Sequence, residues 1–213
     1  MNDLGICALV SGAASEIGME TVRILAGQGA SVLAVDSNEE KVQAAIESLD
    51  LQKPEDVLVS ELEGGDFFSW YDLGNLIGAY FNTLNVFVHI GASSLGESAR
   101  TLNVEALRQA EAASSDSFIT AVGFLDKFFV AAAEENPEGA CVIAVTPSPT
   151  DGAGSSVSDS LTHAMSSALA EELTREYSTA EKNVRVRAFR PSNHDARAAA
   201  AAVVGLTVDA PRS

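Results

Sequence analysis

The side chains best suited to chemistry lie in the last third of the chain. Asp159 and His163 are four residues apart, so they share one face of a predicted helix and can pair. Thr146 and Ser148 follow an apolar strand, and a hydroxyl there would complete a set of nucleophile, base and acid. Such a set needs a geometry that spacing alone does not supply. The alternative is a surface Asp–His pair that supports the helix.

A second chemical feature is the turn Ser11-Gly12-Ala13-Ala14-Ser15-Glu16-Ile17-Gly18, which follows the apolar run 6–10. Gly12 and Gly18 bracket this turn and a helical pattern follows it, as in the first turn of a dinucleotide-binding domain. In such a turn the middle glycine lets the backbone approach a pyrophosphate at the helix N-terminus. Glu16 places a side chain and a negative charge at that point. We therefore expect a cofactor-binding fold that has lost its cofactor.

Strand-like and helix-like segments alternate along the chain and must position these residues. The predicted strands are short and rich in Val, Ile and Leu, and they span 6–10, 31–35, 57–62, 85–90, 140–146 and 184–189. The predicted helices span 17–28, 38–49, 67–80, 104–134, 157–178 and 193–205. This alternation predicts an α/β, Rossmann-like, doubly wound parallel sheet, with residues 1–213 forming a single domain.

The composition excludes several classes of function. The 213 residues carry a formal net charge of −17, which argues against nucleic acid and anionic membranes as partners. No apolar run approaches the roughly 20 residues of a membrane span, and no basic, apolar leader precedes the first strand. Cys7 and Cys141 are far apart in apolar runs, which predicts buried thiols and a cytoplasmic location. The sequence contains no cluster of metal ligands.

Taken together, these segments resemble the short-chain dehydrogenase/reductase family along nearly the whole chain. The first turn corresponds to the family's Thr-Gly-x-x-x-Gly-Ile-Gly, with a glutamate in place of the middle glycine. The second strand ends in an aspartate, which the resemblance assigns to the adenosine ribose and to a preference for NAD over NADP. The fourth strand, 85–92, matches Asp-Val-Leu-Val-Asn-Asn-Ala-Gly with both asparagines replaced. The remnant cofactor motif comprises Ser11, Gly12, Glu16, Gly18, Asp36, His89 and Gly91.

The end of the chain departs further from the family. The stretch 183–191 resembles the family's sixth strand ending in Pro-Gly, with Ser192 in place of the glycine. The resemblance implies a substrate-covering loop and a seventh strand after this point. Here Ser192 leads almost directly into an alanine-rich helix, and the segment 206–208 is too short for a convincing strand. We therefore expect six strands and no substrate lid.

The resemblance also implies where the family's catalytic groups would lie. In the family a tyrosine exchanges a proton with the substrate oxygen, and a lysine four residues later lowers its pKa and holds the nicotinamide ribose. The match places Asp159 at the tyrosine and His163 at the lysine, and the helix's only tyrosine, Tyr177, lies near its far end. A serine and an assisting asparagine complete the family's set. The match places the asparagine near Asp116 and the serine near Thr146 or Ser148. The positions at which the family's catalytic residues are replaced are therefore Asp116, Thr146, Ser148, Asp159 and His163.

Three functions are open at this stage. The first is a non-catalytic subunit that stabilises an active short-chain dehydrogenase, with no cofactor in this chain and NAD in the active partner. For this case the chain resembles the inactive subunits of heteromeric hydroxybenzylsuccinyl-CoA dehydrogenases in anaerobic toluene degradation. That resemblance implies a heterotetramer whose active subunits oxidise a CoA-linked alcohol with NAD. The other two are an NAD-dependent oxidoreductase with altered catalytic residues and a dinucleotide-sensing regulatory protein.

Apolar residues on the fourth and fifth helices indicate where such a partner would bind. The helices 104–134 and 157–178 each carry more apolar surface than one sheet face covers, which favours a subunit interface. The fifth helix has a stripe that we expect to be buried, formed by Leu161, Met165, Leu169, Leu173 and Tyr177.

Two residues of the remnant motif have predicted structural roles. The carboxylate of Glu16 is expected to lie against the backbone N–H donors of the turn as a substitute for the pyrophosphate. The imidazole of His89 is expected to fill part of the vacated cofactor pocket. With both in place, the empty fold would remain stable.

Overall fold

The computed structural model describes residues 5–49, 51–91, 104–105, 108, 115–146, 157–192 and 195–208. Strands β1 to β6 are Cys7–Ser11, Ser31–Asp36, Val57–Glu61, Val86–Ile90, Ala140–Val145 and Val184–Phe189. Helices α1 to α6 are Glu16–Gly27, Glu39–Ser48, Phe67–Tyr80, Ser117–Glu135, Val157–Thr179 and Ala196–Val208. A 3₁₀ turn, Pro54–Asp56, precedes β3, and residues 104, 105 and 108 are also helical.

The six strands form one parallel sheet in the order β3-β2-β1-β4-β5-β6. Val10 of β1 pairs with Ala34 on one side and with Val88 on the other, so β1 lies at the centre beside both β2 and β4. The direction of strand addition reverses at this point, which makes it the switch point of a doubly wound sheet. The predicted α/β fold with six parallel strands is confirmed.

Helices cover both faces of the sheet, which explains why the strands are apolar on both sides. All six residues of β5 are buried. One face packs against α3, α4 and α5 around Trp70, Phe87 and Phe129. The opposite face packs against α1, α2 and α6 around Val10, Val22 and Val203.

The C-terminal region differs from the prediction in one respect. The last helix runs from Ala196 to Val208, so it begins and ends three residues later than expected. The segment 206–208 therefore closes this helix and forms no strand. The helix starts late because Asp195 is its cap, with Oδ1 accepting from Ala198 N at 3.0 Å. The six residues 190–195 lie between the end of β6 and the start of α6.

Candidate functional site

A crevice lies at the carboxyl ends of β1 and β4, where ligands bind in open α/β sheets. It encloses about 470 Å³. Its walls come from the turn after β1, the end of β2, the loop after β3, the end of β4 and the start of α4. The residues that line it include Ser11, Gly12, Ser15, Asp36, Glu63, Gly64, His89, Ile90, Gly91 and Ser117.

The turn after β1 has its glycines where the backbone requires them. Gly12 has φ +76°, and a Cβ there would lie 2.5 Å from the carbonyl oxygen of Ile90. A Cβ on Gly18 would lie 2.4 Å from the carbonyl oxygen of Gly12. Ser15 closes the turn, since its Oγ donates to Gly12 O at 2.7 Å and accepts from Gly18 N at 3.1 Å. Hydrogen bonds within the chain therefore maintain the conformation of this dinucleotide-type turn.

Glu16 does not take the role predicted for it. It is the first residue of α1 and its side chain is exposed. Ser15 is the helix cap, and no hydrogen bond within the described chain joins the Glu16 carboxylate to a backbone N–H. Glu16 instead lines a shallow groove with Asp195 and Arg197, outside the crevice. The idea that Glu16 replaces the pyrophosphate is wrong for this structure, because the Ser15 hydroxyl caps the helix and the Glu16 side chain is exposed.

Two carboxylates give the crevice a negative wall. Asp36 lies at the end of β2, and its Oδ2 accepts from Ala14 N at 2.9 Å. Glu63 lines the same space from the loop after β3. Among the described lining residues there is no lysine or arginine. These two carboxylates therefore place negative charge on this wall of the crevice.

His89 occupies the floor of the crevice. It is 5% exposed, and its Nδ1 lies 2.8 Å from Ser11 Oγ. The ring packs beside Phe118, with the ring centroids 5.8 Å apart. The imidazole thus lines the crevice, and its contact with Ser11 orients the ring. That it fills a vacated cofactor pocket stays a prediction.

The loop Glu63-Gly64-Gly65 is a part of the site that sequence reasoning identified only as a loop. Trp70 of α3 is fully buried, and its Nε1 donates to Gly64 O at 2.9 Å. A Cβ on Gly64 would lie 2.9 Å from Ser117 Oγ, so the glycine leaves space for that hydroxyl. Within the described chain Ser117 Oγ is buried without a hydrogen-bond partner. The sequence feature that could have identified this wall of the crevice is the Gly-Gly pair in the loop after β3.

Two of the degenerate catalytic positions come together. Thr146 follows β5 and is buried, with Oγ1 2.9 Å from His163 Nδ1 and 3.3 Å from Phe189 O. Burial lowers the pKa of His163, and the positive charge of Arg190 lowers this pKa further. The lowered pKa favours the neutral form of the imidazole. Hydroxyl and imidazole form a fixed pair between the end of β5 and the first half of α5.

The remaining candidate residues are placed separately. Asp159 is 5% exposed and lies one turn before His163 on α5, so the predicted surface pair is wrong for the aspartate. Asp116 is exposed at the start of α4 and makes no capping hydrogen bond. Ser148 lies outside the described residues. A complete set of nucleophile, base and acid is thus not assembled from the described atoms.

Tyr177 cannot replace the missing tyrosine. It lies near the end of α5 and is buried, and its hydroxyl donates to Asp126 Oδ1 at 2.7 Å. Burial raises its pKa well above the usual value for a tyrosine, and the hydrogen bond to Asp126 raises it further. The phenol therefore stays protonated and ties α5 to α4.

Several large apolar side chains remain on the surface of this chain. On α5, Leu161 and Met165 are 39% and 40% exposed, so the stripe predicted to be buried is only partly covered. Ile119 on α4 is 50% exposed. At the start of α3, the rings of Phe67 and Phe68 are also exposed. No helix among the described residues is long and apolar enough to cross a membrane, and no metal-ligand cluster occurs there.

This crevice and the order of the strands define a doubly wound fold of the dinucleotide-binding class. The chain belongs to the short-chain dehydrogenase family, whose sequence profile, described as short chain dehydrogenase, matches residues 6–203. No curated protein matches the chain significantly.

Solved structures of similar fold are distant in sequence. A metagenomic short-chain oxidoreductase in complex with NADP has a TM-score of 0.78 at 16% identity, covering 98% of this chain and 93% of that one. A short-chain dehydrogenase/reductase from Brucella melitensis has a TM-score of 0.81 at 13% identity, covering 96% and 89%. A putative short-chain dehydrogenase from Novosphingobium aromaticivorans has a TM-score of 0.78 at 16% identity, covering 95% and 77%. At these identities the likeness establishes the fold.

Proposed function

We propose that this chain is a non-catalytic subunit that assembles with an active NAD-dependent short-chain dehydrogenase and stabilises the complex. One observation carries the proposal. The helix positions that correspond to the family's tyrosine and lysine hold Asp159 and His163, and Thr146 lies 2.9 Å from the imidazole. These groups do not supply the phenol and ammonium pair through which the family transfers a proton. Tyr177 is engaged with Asp126 elsewhere on the helix.

The charges at the first turn and in the crevice argue against a bound NAD diphosphate. Glu16 brings a negative charge to the helix N-terminus on which the pyrophosphate would lie. Glu63 adds a carboxylate to the wall, and no described lining residue is basic. The position of the family's ribose-binding lysine is held by His163. We therefore propose that this chain holds no NAD, and that the active partner does.

The exposed apolar residues on α4 and α5 support a subunit contact. Ile119, Leu161 and Met165 are each at least 39% exposed on the helices for which the sequence predicts an interface. The finer form of the proposal is a heterotetramer that oxidises a CoA-linked hydroxy acid in anaerobic toluene or benzylsuccinate degradation. In this form of the proposal the substrate binds in the active partner, so the proposal assigns it no binding residue in this chain.

Co-expression with an intact short-chain dehydrogenase from a neighbouring reading frame tests the proposal. We expect the two chains to co-purify as an active NAD-dependent complex, and this chain alone to show no turnover and no calorimetric signal with NAD. Met165→Asp should disrupt the complex, whereas Tyr80→Asp, a matched change at the exposed end of α3, should not. Dehydrogenase activity of the isolated chain would overturn the proposal.

The contact between Thr146 and His163 favours one second candidate, an NAD-dependent oxidoreductase with altered catalytic residues. If the pair moves a proton during turnover, the isolated chain should convert substrate and His163→Gln should abolish that activity. Saturable NAD binding without turnover would instead indicate a dinucleotide sensor, for which Asp36 in the crevice is the supporting residue. The same purified chain therefore separates the three functions.

A further inference from the structure

A second cavity lies at the opposite edge of the sheet, where the strands begin. It encloses about 390 Å³ between the start of β1, the end of α1, the start of β4, the turn before β5, β6 and the end of α6. Ligands of this fold class bind at the carboxyl ends of the strands, so this cavity is separate from the crevice described above. It is also independent of the function proposed above.

Arg185 provides the positive charge of this cavity. It is the only cationic side chain among the described lining residues. Its Nη2 donates to the carbonyl oxygens of Glu138 and Thr207, each at 3.2 Å. Its Nε and Nη1 are buried and have no acceptor within the described chain. Guanidinium donors buried without acceptors cost free energy, which oxygen atoms of a ligand would recover.

Two asparagines add donors whose orientation is fixed. Asn85 Oδ1 accepts from Cys7 N at 3.0 Å, and Asn136 Oδ1 accepts from Glu138 N at 3.0 Å. Because a backbone N–H can only donate, each amide oxygen must face it, and each Nδ2 group is left to donate elsewhere. Both asparagines line the cavity. The polar wall is thus dominated by donors.

The rest of the wall limits the kind of anion that fits. Ile6, Leu25 and Val86 form an apolar part, and Glu138 supplies the one carboxylate among the described lining residues. Glu138 is exposed, so water screens its carboxylate, whereas two nitrogens of the Arg185 guanidinium are buried. This one cation can balance one negative charge of a ligand but not a polyphosphate. A volume of about 390 Å³ lies within the range of small-molecule pockets.

We propose that this cavity binds a small monocarboxylic acid with an apolar body. Its carboxylate would accept hydrogen bonds from Arg185 and from the amides of Asn85 and Asn136. Its hydrocarbon part would lie against Ile6 and Leu25. Since the cavity is bounded by β4, β6 and the end of α6, such a ligand stabilises the last helix on the sheet.

Calorimetric titration with benzoate tests the site, with benzamide as the neutral probe of equal shape and inorganic phosphate as the anion without an apolar body. We expect benzoate to bind one saturable site, and benzamide and phosphate to bind at least about tenfold more weakly. Asn136→Asp keeps the acceptor for Glu138 N and replaces a donor with a negative charge. It should weaken benzoate at least about tenfold. Asn75→Asp, an equal charge change on the exposed side of α3, should not.

Three outcomes would overturn the proposal. The first is no saturable benzoate binding below roughly 10 mM. The second is equal binding of benzoate and benzamide, or of benzoate and phosphate, because the class of ligand would then be wrong. The third is undiminished benzoate binding by Asn136→Asp. Should that variant fail to fold by circular dichroism, Asn85→Asp makes the same change on the other side of the cavity.

Discussion

Replacing Glu16 by glycine should create affinity for NAD in the isolated chain. Glu16 is the exposed first residue of α1, so water screens its repulsion of a phosphate. At a separation of roughly 5 Å, one phosphate charge is repelled by about 0.8 kcal/mol in bulk water and by about 3 kcal/mol at an effective dielectric constant of 20. A gain of roughly 1–3 kcal/mol corresponds to about a 5- to 150-fold tighter dissociation constant.

Calorimetry with NAD and with adenosine measures this effect. Glu16→Gly should tighten NAD binding by the stated factor and leave adenosine unchanged, because adenosine carries no phosphate. Glu16→Gln removes the charge but keeps the side chain, so it separates repulsion from steric hindrance. Glu39→Gln, at the exposed N-terminus of α2, controls for net charge. If the unmodified chain binds NAD within about threefold of Glu16→Gly, the reasoning about this position is refuted.

Two further predictions concern stability. Gly12→Ala should lower the free energy of unfolding by about 2–4 kcal/mol in urea, because of its positive φ and the Ile90 oxygen 2.5 Å from the new Cβ. Gly27→Ala, with open space around it in α1, should not destabilise the chain, and equal losses would contradict the argument. The pKa of His163 is lower in the folded chain, so the unfolded chain binds more protons and stability should fall as pH drops below about 6.5. His163→Gln should flatten this part of the pH profile in urea titrations, and an unchanged profile would exclude His163 as its source.

The fold could be predicted because its signals are local. Each strand is a short apolar run between turns. Because helices cover both faces of a parallel sheet, its strands lack the alternation of apolar and polar residues that marks a strand with one face in water. The predicted range of the last helix differs from the observed range by three residues, because the alanine-rich run contains no residue that marks where a helix begins or ends. Its start depends on the cap formed by Asp195. Its end depends on contacts across the fold, including the hydrogen bond from Arg185 to Thr207 O.

The site could be predicted only in part, because side-chain orientation is set by tertiary packing. Spacing placed Thr146 and His163 in neighbouring elements, but the hydrogen bond between them depends on how α5 lies against β5. The burial of Asp159 was missed, since a charged residue in a mixed helix predicts a solvent-facing position. The hydrogen bond from Trp70 to the carbonyl oxygen of Gly64 could not be predicted either, because no periodic pattern in the sequence pairs these two residues.

The three glycine positions of the family's first turn separate what the fold requires from what a cofactor requires. At Gly12 and Gly18 an added Cβ would lie within 2.5 Å of a carbonyl oxygen of this chain, so the backbone alone demands glycine there. Position 16 meets no such constraint, because Glu16 is the exposed first residue of α1 and Ser15 caps the helix. Only an approaching phosphate would demand glycine at that position. The chain departs from the motif at the one glycine that the ligand, and not the fold, would require, and this departure is the support that the first turn gives to the proposal that the chain holds no NAD.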